Sequence, residues 1–288
     1  MGIRENQPCQ FAFAALGGWL LCSLAVTVRA ADDRDNNVGQ SVAHPLSRFD
    51  LRVRYMAFED HKETEVLEAR LEHPFDLEGG WKLNTRVVLS GWVTDFPSGD
   101  NRGADYSAGV GDLYTQLFFI APAIGATTIA VGWRNYFPSA GEDQFGKGKY
   151  RCAPLVVVQR AANWISPGSF YGLGLRNDFS FAGDRAHRKV NELQVVPVVT
   201  VMLPHQSFVT LFPERVIDWQ QDNRLFVPLD VEVGRKYAAN RAASLRLQVP
   251  LLNELQPYEW AVRRAGQCFF ECDPITLSHP CTPPPASP

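Results

Sequence analysis

The sequence has no long apolar run beyond residue 28, little net charge and no sustained helical periodicity. The missing apolar runs disfavour a bundle of membrane-spanning helices, because each such helix needs about 20 consecutive apolar residues. The formal charge of −3 supplies neither a basic field for nucleic acid nor an acidic tail, so no nucleic-acid partner is expected. With no C-x-x-C pair, and with His279 alone beside the C-terminal cysteines, neither a metal nor another cofactor is predicted.

Residues 1–30 have the layout of a secretory signal peptide. Arg4 lies in a short polar start, an apolar stretch runs from Phe11 to Val28, and Val28 and Ala30 suit the small-residue cleavage positions. The alternative is an uncleaved membrane anchor, because the apolar stretch is about as long as a spanning helix. We expect cleavage, which places the mature chain in an oxidising compartment where cysteines can pair.

Two segments flank the patterned part of the chain. Residues 31–46 are polar and are expected to form a flexible N-terminal segment, and residues 271–288 form a Pro-rich, Cys-containing tail that should be extended. A disulfide in this tail is plausible, although the sequence cannot rank the three connectivities that four cysteines allow. The cysteines of the mature chain are Cys152, Cys268, Cys272 and Cys281.

Between residues 47 and 270 the sequence alternates apolar and polar residues in about a dozen segments. In one of them, Leu83, Val87 and Leu89 alternate with Asn84 and Arg86. Period-two alternation predicts antiparallel β-strands. Short and long connections alternate, as in outer-membrane barrels. Because an open strand edge is too costly in hydrocarbon, we predict an all-β fold, a closed antiparallel up-and-down transmembrane β-barrel of about 12 strands.

The alternation alone leaves open which face points outward. A soluble barrel would bury its apolar face, whereas a membrane barrel would turn that face to lipid. Several Trp residues lie near predicted strand ends, which favours the membrane barrel because aromatic girdles mark its interfaces. In that orientation the opposite face lines a wet lumen. Its charged residues are then candidates for setting solute selectivity, or alternatively are paired only for structure: Asp50, Arg52, Arg54, Glu68, Arg70, Arg86, Arg176, Asp178, Asp230, Glu232 and Arg246.

Several stretches, in this order and spacing, carry a resemblance to a known family. They are "GVGDLYTQLFFIAP" at 109–122, "VGWRNYFPSA" at 131–140, "GKGKYRCAPLVVV" at 146–158, "NDFSFAGD" at 177–184, "VNELQVVPVVTVML" at 190–203, "DNRLFVPLDVEVGRKY" at 222–237 and "YEWAVRRAG" at 258–266. The chain resembles the transporter-like outer-membrane proteins labelled as belonging to the MetA pathway of phenol degradation. The resemblance implies a barrel in the outer membrane of a Gram-negative cell, outer-membrane lipid and the barrel assembly machinery as partners, and uptake of small, apolar or aromatic solutes. Phe270 would serve as the terminal aromatic residue that the assembly machinery recognises, and Arg264 stands where the family usually has an apolar outward residue.

Three functions are therefore weighed. The first is a channel or transporter for small solutes. The second is a barrel enzyme acting on lipid, for which Ser207 and His205 are near in sequence but lack an obvious acidic partner, so no catalytic residue is predicted. The third is a structural or adhesion barrel that binds partners through loops 95–110 and 138–149. The glycines of the "GVGD" turn at 109–112 are expected to serve a backbone with positive φ rather than a phosphate site.

Overall fold

The computed structural model describes residues 37–58, 61–96, 105–238, 240–255 and 258–269, and its regular structure is almost entirely β-strand. The predicted signal peptide, the first part of the predicted flexible segment, Phe270 and the C-terminal tail lie outside the described residues. Within the described part of the chain, no helix is both long and apolar enough to cross a membrane.

Fourteen strands run through the described residues and follow the alternating segments of the sequence. A strand separates the two residue classes, because successive side chains point to opposite faces. The strands are β1 (Arg48–Phe58), β2 (Glu63–Asp76), β3 (Lys82–Thr94), β4 (Ser107–Val110), β5 (Leu113–Ile120), β6 (Thr127–Phe137), β7 (Lys149–Ala161), β8 (Phe170–Gly183), β9 (Asn191–Leu203), β10 (Ser207–Leu211), β11 (Arg215–Asp218), β12 (Arg224–Ala238), β13 (Arg241–Asn253) and β14 (Tyr258–Phe269). Two short 3-10 turns, Glu78–Gly80 and Asp143–Phe145, lie in the connections.

All strands belong to one antiparallel sheet that closes on itself where β1 pairs with β14. Strands β4 and β5 both pair with β3, so they are two parts of one wall strand. Strands β10 and β11 both pair with β9 and β12, and they form another interrupted wall strand. The barrel wall therefore has twelve strands, which confirms the predicted closed antiparallel architecture.

The two faces of the wall differ sharply in polarity. On β2, Leu67 and Leu71 are 51% and 49% exposed, whereas Arg70 and Glu72 are 5% and 4% exposed. In a single-layered barrel, buried side chains must face the lumen, because nothing covers the outer surface. The exposed apolar residues therefore lie on the outside, among them Val87 on β3.

Tryptophans lie mainly on the outer surface near strand ends, as in an interfacial girdle. Trp81 precedes β3, Trp164 lies in the turn after β7 and Trp219 follows β11, and all three are exposed. Trp92 differs, because it packs with a small apolar cluster inside the barrel and donates a hydrogen bond to Ser90 Oγ at 3.0 Å. Some of the tryptophans therefore lie where an interfacial girdle would place them, and Trp92 does not.

Prolines within strands are accommodated locally. The pairing of β12 with β13 shifts register between Val227 and Pro228, and Pro228 lies opposite Pro250. A bulge of this kind tolerates the missing backbone donor of proline. Pro197 instead sits in a regular stretch of β9, opposite Leu173 of β8.

Short turns and long loops lie at opposite ends of the barrel. The turns at 77–81, 121–126 and 204–206 are on the end where β1 begins and β14 finishes, and we call this the short-turn end. His205 and Gln206 have φ of 61° and 54°, the left-handed pair of a tight hairpin turn. The loops at 138–148 and 184–190 lie on the other end, which we call the long-loop end.

Candidate functional site

The eleven charged residues predicted to line a lumen all lie on inward-facing positions of the wall. Asp50 pairs in register with Arg70, and Arg52 with Glu68, so oppositely charged residues meet across neighbouring strands. On β12 and β13, Glu232 lies opposite Arg246. The shared face follows from the period-two alternation, because these even-numbered residues of β1, β2, β12 and β13 point inward.

The first lumen network centres on Asp50, whose side chain is fully buried. Arg70 makes a close ion pair with this carboxylate, Arg52 Nη2 lies 3.1 Å from Asp50 Oδ2, and Arg48 Nε lies 3.8 Å from the same oxygen. Three guanidinium groups thus share one carboxylate, an arrangement that requires further acceptors nearby.

Glu72 supplies those acceptors. Arg48 Nη2 lies 2.9 Å from Glu72 Oε2, Arg86 Nη2 lies 3.1 Å from it, and Asn84 Nδ2 donates to Glu72 Oε1 at 2.7 Å. Arg48 and Glu72 were not among the predicted lumen residues. The same alternation, continued to the first residue of β1 and into the second half of β2, would have assigned both residues to the lumen face.

Further ion pairs lie on other strands of the wall. Arg151 pairs closely with Asp178, and Arg246 Nε donates to Asp230 Oδ1 at 2.6 Å. Gln248 Nε2 also donates to Asp230, at 2.8 Å. Asp178, Asp230 and Arg246 were predicted from the sequence, whereas Arg151 was not.

The interruption between β10 and β11 adds a carboxylate that the sequence pattern did not predict. Arg176 Nη2 lies 3.2 Å from Glu214 Oε1, so this glutamate between the two strands reaches into the lumen. Phe212 of the same interruption packs under the Arg246 guanidinium, 3.7 Å from it to the ring centroid. Because the segment "FPER" breaks the alternation, no periodic signal assigned its side chains to a face.

Arg134 is held by tyrosine side chains and one amide instead of a carboxylate. Its Nε and Nη2 donate to Gln116 Oε1 at 3.0 and 2.8 Å, and its Nη1 donates to the Tyr136 hydroxyl at 2.9 Å. Its guanidinium carbon lies 4.5 Å from the centroid of the Tyr114 ring, within cation–π range. Arg134 was also missed by the sequence analysis.

Residues 37–46, which we call the N-terminal plug, lie inside the barrel near the short-turn end. Val38 is 2% exposed and packs with Met202 and Phe208, and Val42 packs against an apolar cluster that includes Phe118. Burying the Val38 side chain stabilises this placement by about 1.5–3 kcal/mol, and the partly buried Val42 adds a smaller amount. This segment was expected to be flexible from its polar composition, and the barrel interior supplies the contacts that hold it.

Polar contacts fix the plug to several parts of the wall. Gln159 binds it through both amide atoms, accepting from the backbone N–H of Val42 at 2.9 Å and donating to Ser41 Oγ at 2.7 Å. Gln40 Nε2 lies 3.5 Å from Glu232 Oε1, across the lumen. The plug therefore spans the lumen between β7 and β12 and narrows it.

The "GVGD" turn anchors a loop at the long-loop end. A Cβ on Gly109 would lie 2.3 Å from the ring of Phe145, which is 2% exposed. Asp112 Oδ2 accepts from the backbone N–H of Lys147 at 2.9 Å. Neither Gly109 nor Gly111 has positive φ, so the expected left-handed backbone is wrong here, and close packing explains the glycine at 109.

Replacing Asp112 with alanine is expected to free the loop at 138–148. Hydrogen bonds to a charged acceptor are worth about 1.5–3 kcal/mol each, so amide exchange in the loop should accelerate about tenfold or more. Hydrogen-exchange mass spectrometry measures this directly, with Glu78→Ala in a turn at the short-turn end as the control. Unchanged exchange at 138–148 would show that Asp112 does not hold the loop.

A histidine joins the two loops of the long-loop end. His187 Nε2 lies 3.3 Å from Asp143 Oδ1, and His187 Nδ1 lies 3.3 Å from Asp184 Oδ2. The backbone N–H of Ala186, together with His187, lowers the pKa of the Asp184 carboxyl below its ordinary value. These contacts tie the loops to each other at the mouth of the barrel.

No catalytic or metal centre emerges from the described residues. His205 lies within the tight turn at the short-turn end, and Ser207, which follows the turn, lies on the face opposite the buried Phe208. No group of three or more potential metal ligands occurs within the described residues. Cys152 is a free thiol and Cys268 is disulfide-bonded, while Cys272 and Cys281 lie outside the described residues.

Solved structures with the same architecture are outer-membrane proteins. The COG4313 outer membrane channel from Pseudomonas putida F1 matches with a TM-score of 0.63 at 11% identity, over 81% of this chain and 99% of that chain. The NanC porin matches with a TM-score of 0.52 at 13% identity, over 77% and 98%. The KdgM porin in complex with disordered oligogalacturonate gives a TM-score of 0.48 at 11% identity, over 78% and 99%. At these identities the likeness concerns the fold. No protein-family model and no curated protein matches the sequence.

Proposed function

We propose that the chain is an outer-membrane channel for small solutes, exported by a cleaved signal peptide and inserted by the barrel assembly machinery. The observation that carries the proposal is the polarity of the closed wall. Apolar side chains such as Val87 and Leu229 are 41% and 43% exposed on the outside, while Asp50 and Asp230 are fully buried inside. Only a lipid environment makes that outer surface favourable, and closure satisfies every strand edge within it.

In this orientation the short-turn end faces the periplasm and the long-loop end faces the outside of the cell. The lumen holds arginines and carboxylates that are paired across strands. Rings of ionisable side chains sort solutes by charge in pores of this kind. The N-terminal plug, on the periplasmic side, restricts the pathway and makes the resting conductance small.

The proposal is tested by adding the purified mature protein to a planar lipid bilayer in KCl. We expect discrete conductance steps, smaller than those of an open sixteen-stranded porin, because a twelve-stranded barrel is narrower and is partly filled. The protein should also keep a heat-modifiable, β-rich fold in detergent. A correctly folded sample that gives no steps, in the presence or absence of the plug, would contradict a channel function and leave a structural barrel.

A further inference from the structure

Three arginines face the lumen at one level of the wall, on neighbouring strands. Arg263 of β14 lies directly opposite Arg54 of β1 on one side and directly opposite Arg246 of β13 on the other. Residues opposite each other on one face have Cβ atoms about 4.5–5.5 Å apart, and like charges in such pairs destabilise the sheet. The chain thus places three cations where each repels the next.

Two of the three arginines have partners in the wall. Arg246 donates to Asp230, and Arg54 Nη2 donates to Gln248 Oε1 at 3.0 Å. Gln248 in turn donates to Asp230, so these four residues form one connected chain of hydrogen bonds. Asp230 thus already accepts hydrogen bonds from Arg246 and Gln248.

Arg263 has no comparable partner. Among the described residues, no carboxylate lies within ion-pair distance of its guanidinium, and its buried Nε has no hydrogen-bond acceptor. Glu68 attracts this charge at longer range, while Arg246, Arg52 and Arg54 repel it. A buried donor without an acceptor is costly, and a charged one more so, which makes this position unfavourable unless an external acceptor occupies it.

A small cavity adjoins Arg263. Arg54, Arg246, Gln248 and Arg263 line it, and it is about the size of one water molecule, so a bound carboxylate or phosphate requires the arginine side chains to move apart. Arginine presents several N–H donors in a planar fork that fits the two oxygens of a carboxylate or phosphate group. A bound anion would satisfy Arg263 and reduce the repulsion among all three arginines.

We propose that Arg263, flanked by Arg54 and Arg246, forms a binding site for one anionic group, a carboxylate or a phosphate, of the solute that passes through the lumen. This inference rests on the proposed channel function for its role in transport, although binding itself does not require conduction. It assigns the solute class as small organic anions, which includes aromatic acids, in place of uncharged apolar compounds. The residue that sets this class is one that the sequence analysis did not select.

The binding test compares Arg263→Gln with Arg264→Gln. These neighbours on β14 differ only in face, because Arg264 is exposed on the outer surface, opposite Val53 and Leu245. Purified protein in a nonionic detergent is titrated calorimetrically at low salt with benzoate and, separately, with inorganic phosphate. We expect Arg263→Gln to weaken binding about tenfold, the effect of losing a hydrogen bond to a charged group, and Arg264→Gln to bind like the wild type.

The two probes and the fold control define each outcome. Binding of benzoate alone identifies a carboxylate site, binding of phosphate alone identifies a phosphate site, and binding of both identifies a general oxyanion site; each supports the inference if Arg263→Gln weakens it. No binding of either probe to wild type, or equal binding by wild type and Arg263→Gln, overturns it. Both variants must show wild-type heat modifiability, which is expected because Arg263→Gln removes a repulsive charge.

Conductance separates this inference from the channel proposal. If the wild type conducts but Arg263→Gln binds anions and selects ions as the wild type does, the anion site is refuted and the channel stands. If the wild type binds anions through Arg263 but never conducts, the site stands and the channel is refuted. If the protein is a channel and also binds anions through Arg263, the reversal potential in a KCl gradient should shift toward lower anion preference in Arg263→Gln. It should stay unchanged in Arg264→Gln.

Discussion

Replacing the N-terminal plug with a Gly-Ser sequence of equal length is expected to raise the single-channel conductance severalfold. The replacement removes the apolar contacts of Val38 and Val42 and the hydrogen bonds to Gln159 that hold the segment across the lumen. A Gly-Ser segment behaves as a flexible coil and has no side chains to anchor it. Planar-bilayer recordings of wild type and variant in the same KCl solution measure the difference.

A point variant distinguishes displacement of the plug from damage to the barrel. Val38→Asp places a charge in the apolar contact with Met202 and Phe208 and should shift the segment out, with an intermediate rise in conductance. Val87→Thr, a change of similar size on the outer surface, should leave conductance unchanged because it touches neither plug nor lumen. Equal conductance of wild type and Gly-Ser variant would show that residues 37–46 do not restrict the pathway.

The alternation in the sequence was sufficient to predict the strands and which residues share a face, while the tryptophans near strand ends were needed to choose the outward face. In β1 and β2, charges such as Asp50 and Arg70 can only share a face when both strands keep a period of two. Once the apolar face is assigned to the outside, every strand residue is assigned to the lipid or to the lumen. The identity of eleven lumen charges was therefore accessible without knowledge of which strands are neighbours.

The pairing of those charges was not accessible, because register between strands is a property of the closed sheet. Arg48 and Glu72 look like ordinary strand-end residues in the sequence, yet both lie at the centre of a network. Glu214 lies in an interruption with no period at all. Arg263 stands next to Arg264 in the sequence, and only the pairing of β14 with β1 and β13 shows that it meets two other arginines.

The N-terminal plug illustrates a different limit. A polar segment with two valines cannot form a core of its own, so composition predicts flexibility. The wall supplies the missing apolar surface around Val38 and Val42 and a bidentate partner in Gln159. A segment whose order depends on a cavity made by distant strands carries no local signal of that order.

Removing the Asp50 carboxylate is expected to produce the largest loss of stability of any single change in the lumen. Asp50→Ala leaves Arg52 without its ion pair and leaves Arg70 with only Glu72, at 3.6 Å, as a carboxylate partner. Breaking a buried ion pair by deleting one member costs about 3–5 kcal/mol, because the remaining charge stays buried. The free energy of unfolding in urea, measured for the barrel in lipid vesicles, should fall by that amount.

An exposed ion pair in the same barrel provides the matched control. Asp76 Oδ1 lies 3.5 Å from Lys82 Nζ, and the two side chains are 68% and 40% exposed. Pairs of this kind contribute about 0–1 kcal/mol, so Asp76→Ala should change stability little. A loss for Asp50→Ala no larger than that for Asp76→Ala would mean that water in the lumen screens the first network. In that case the arginines around Asp50 would be free to bind solutes, and fewer of the lumen ion pairs would contribute to the stability of the barrel.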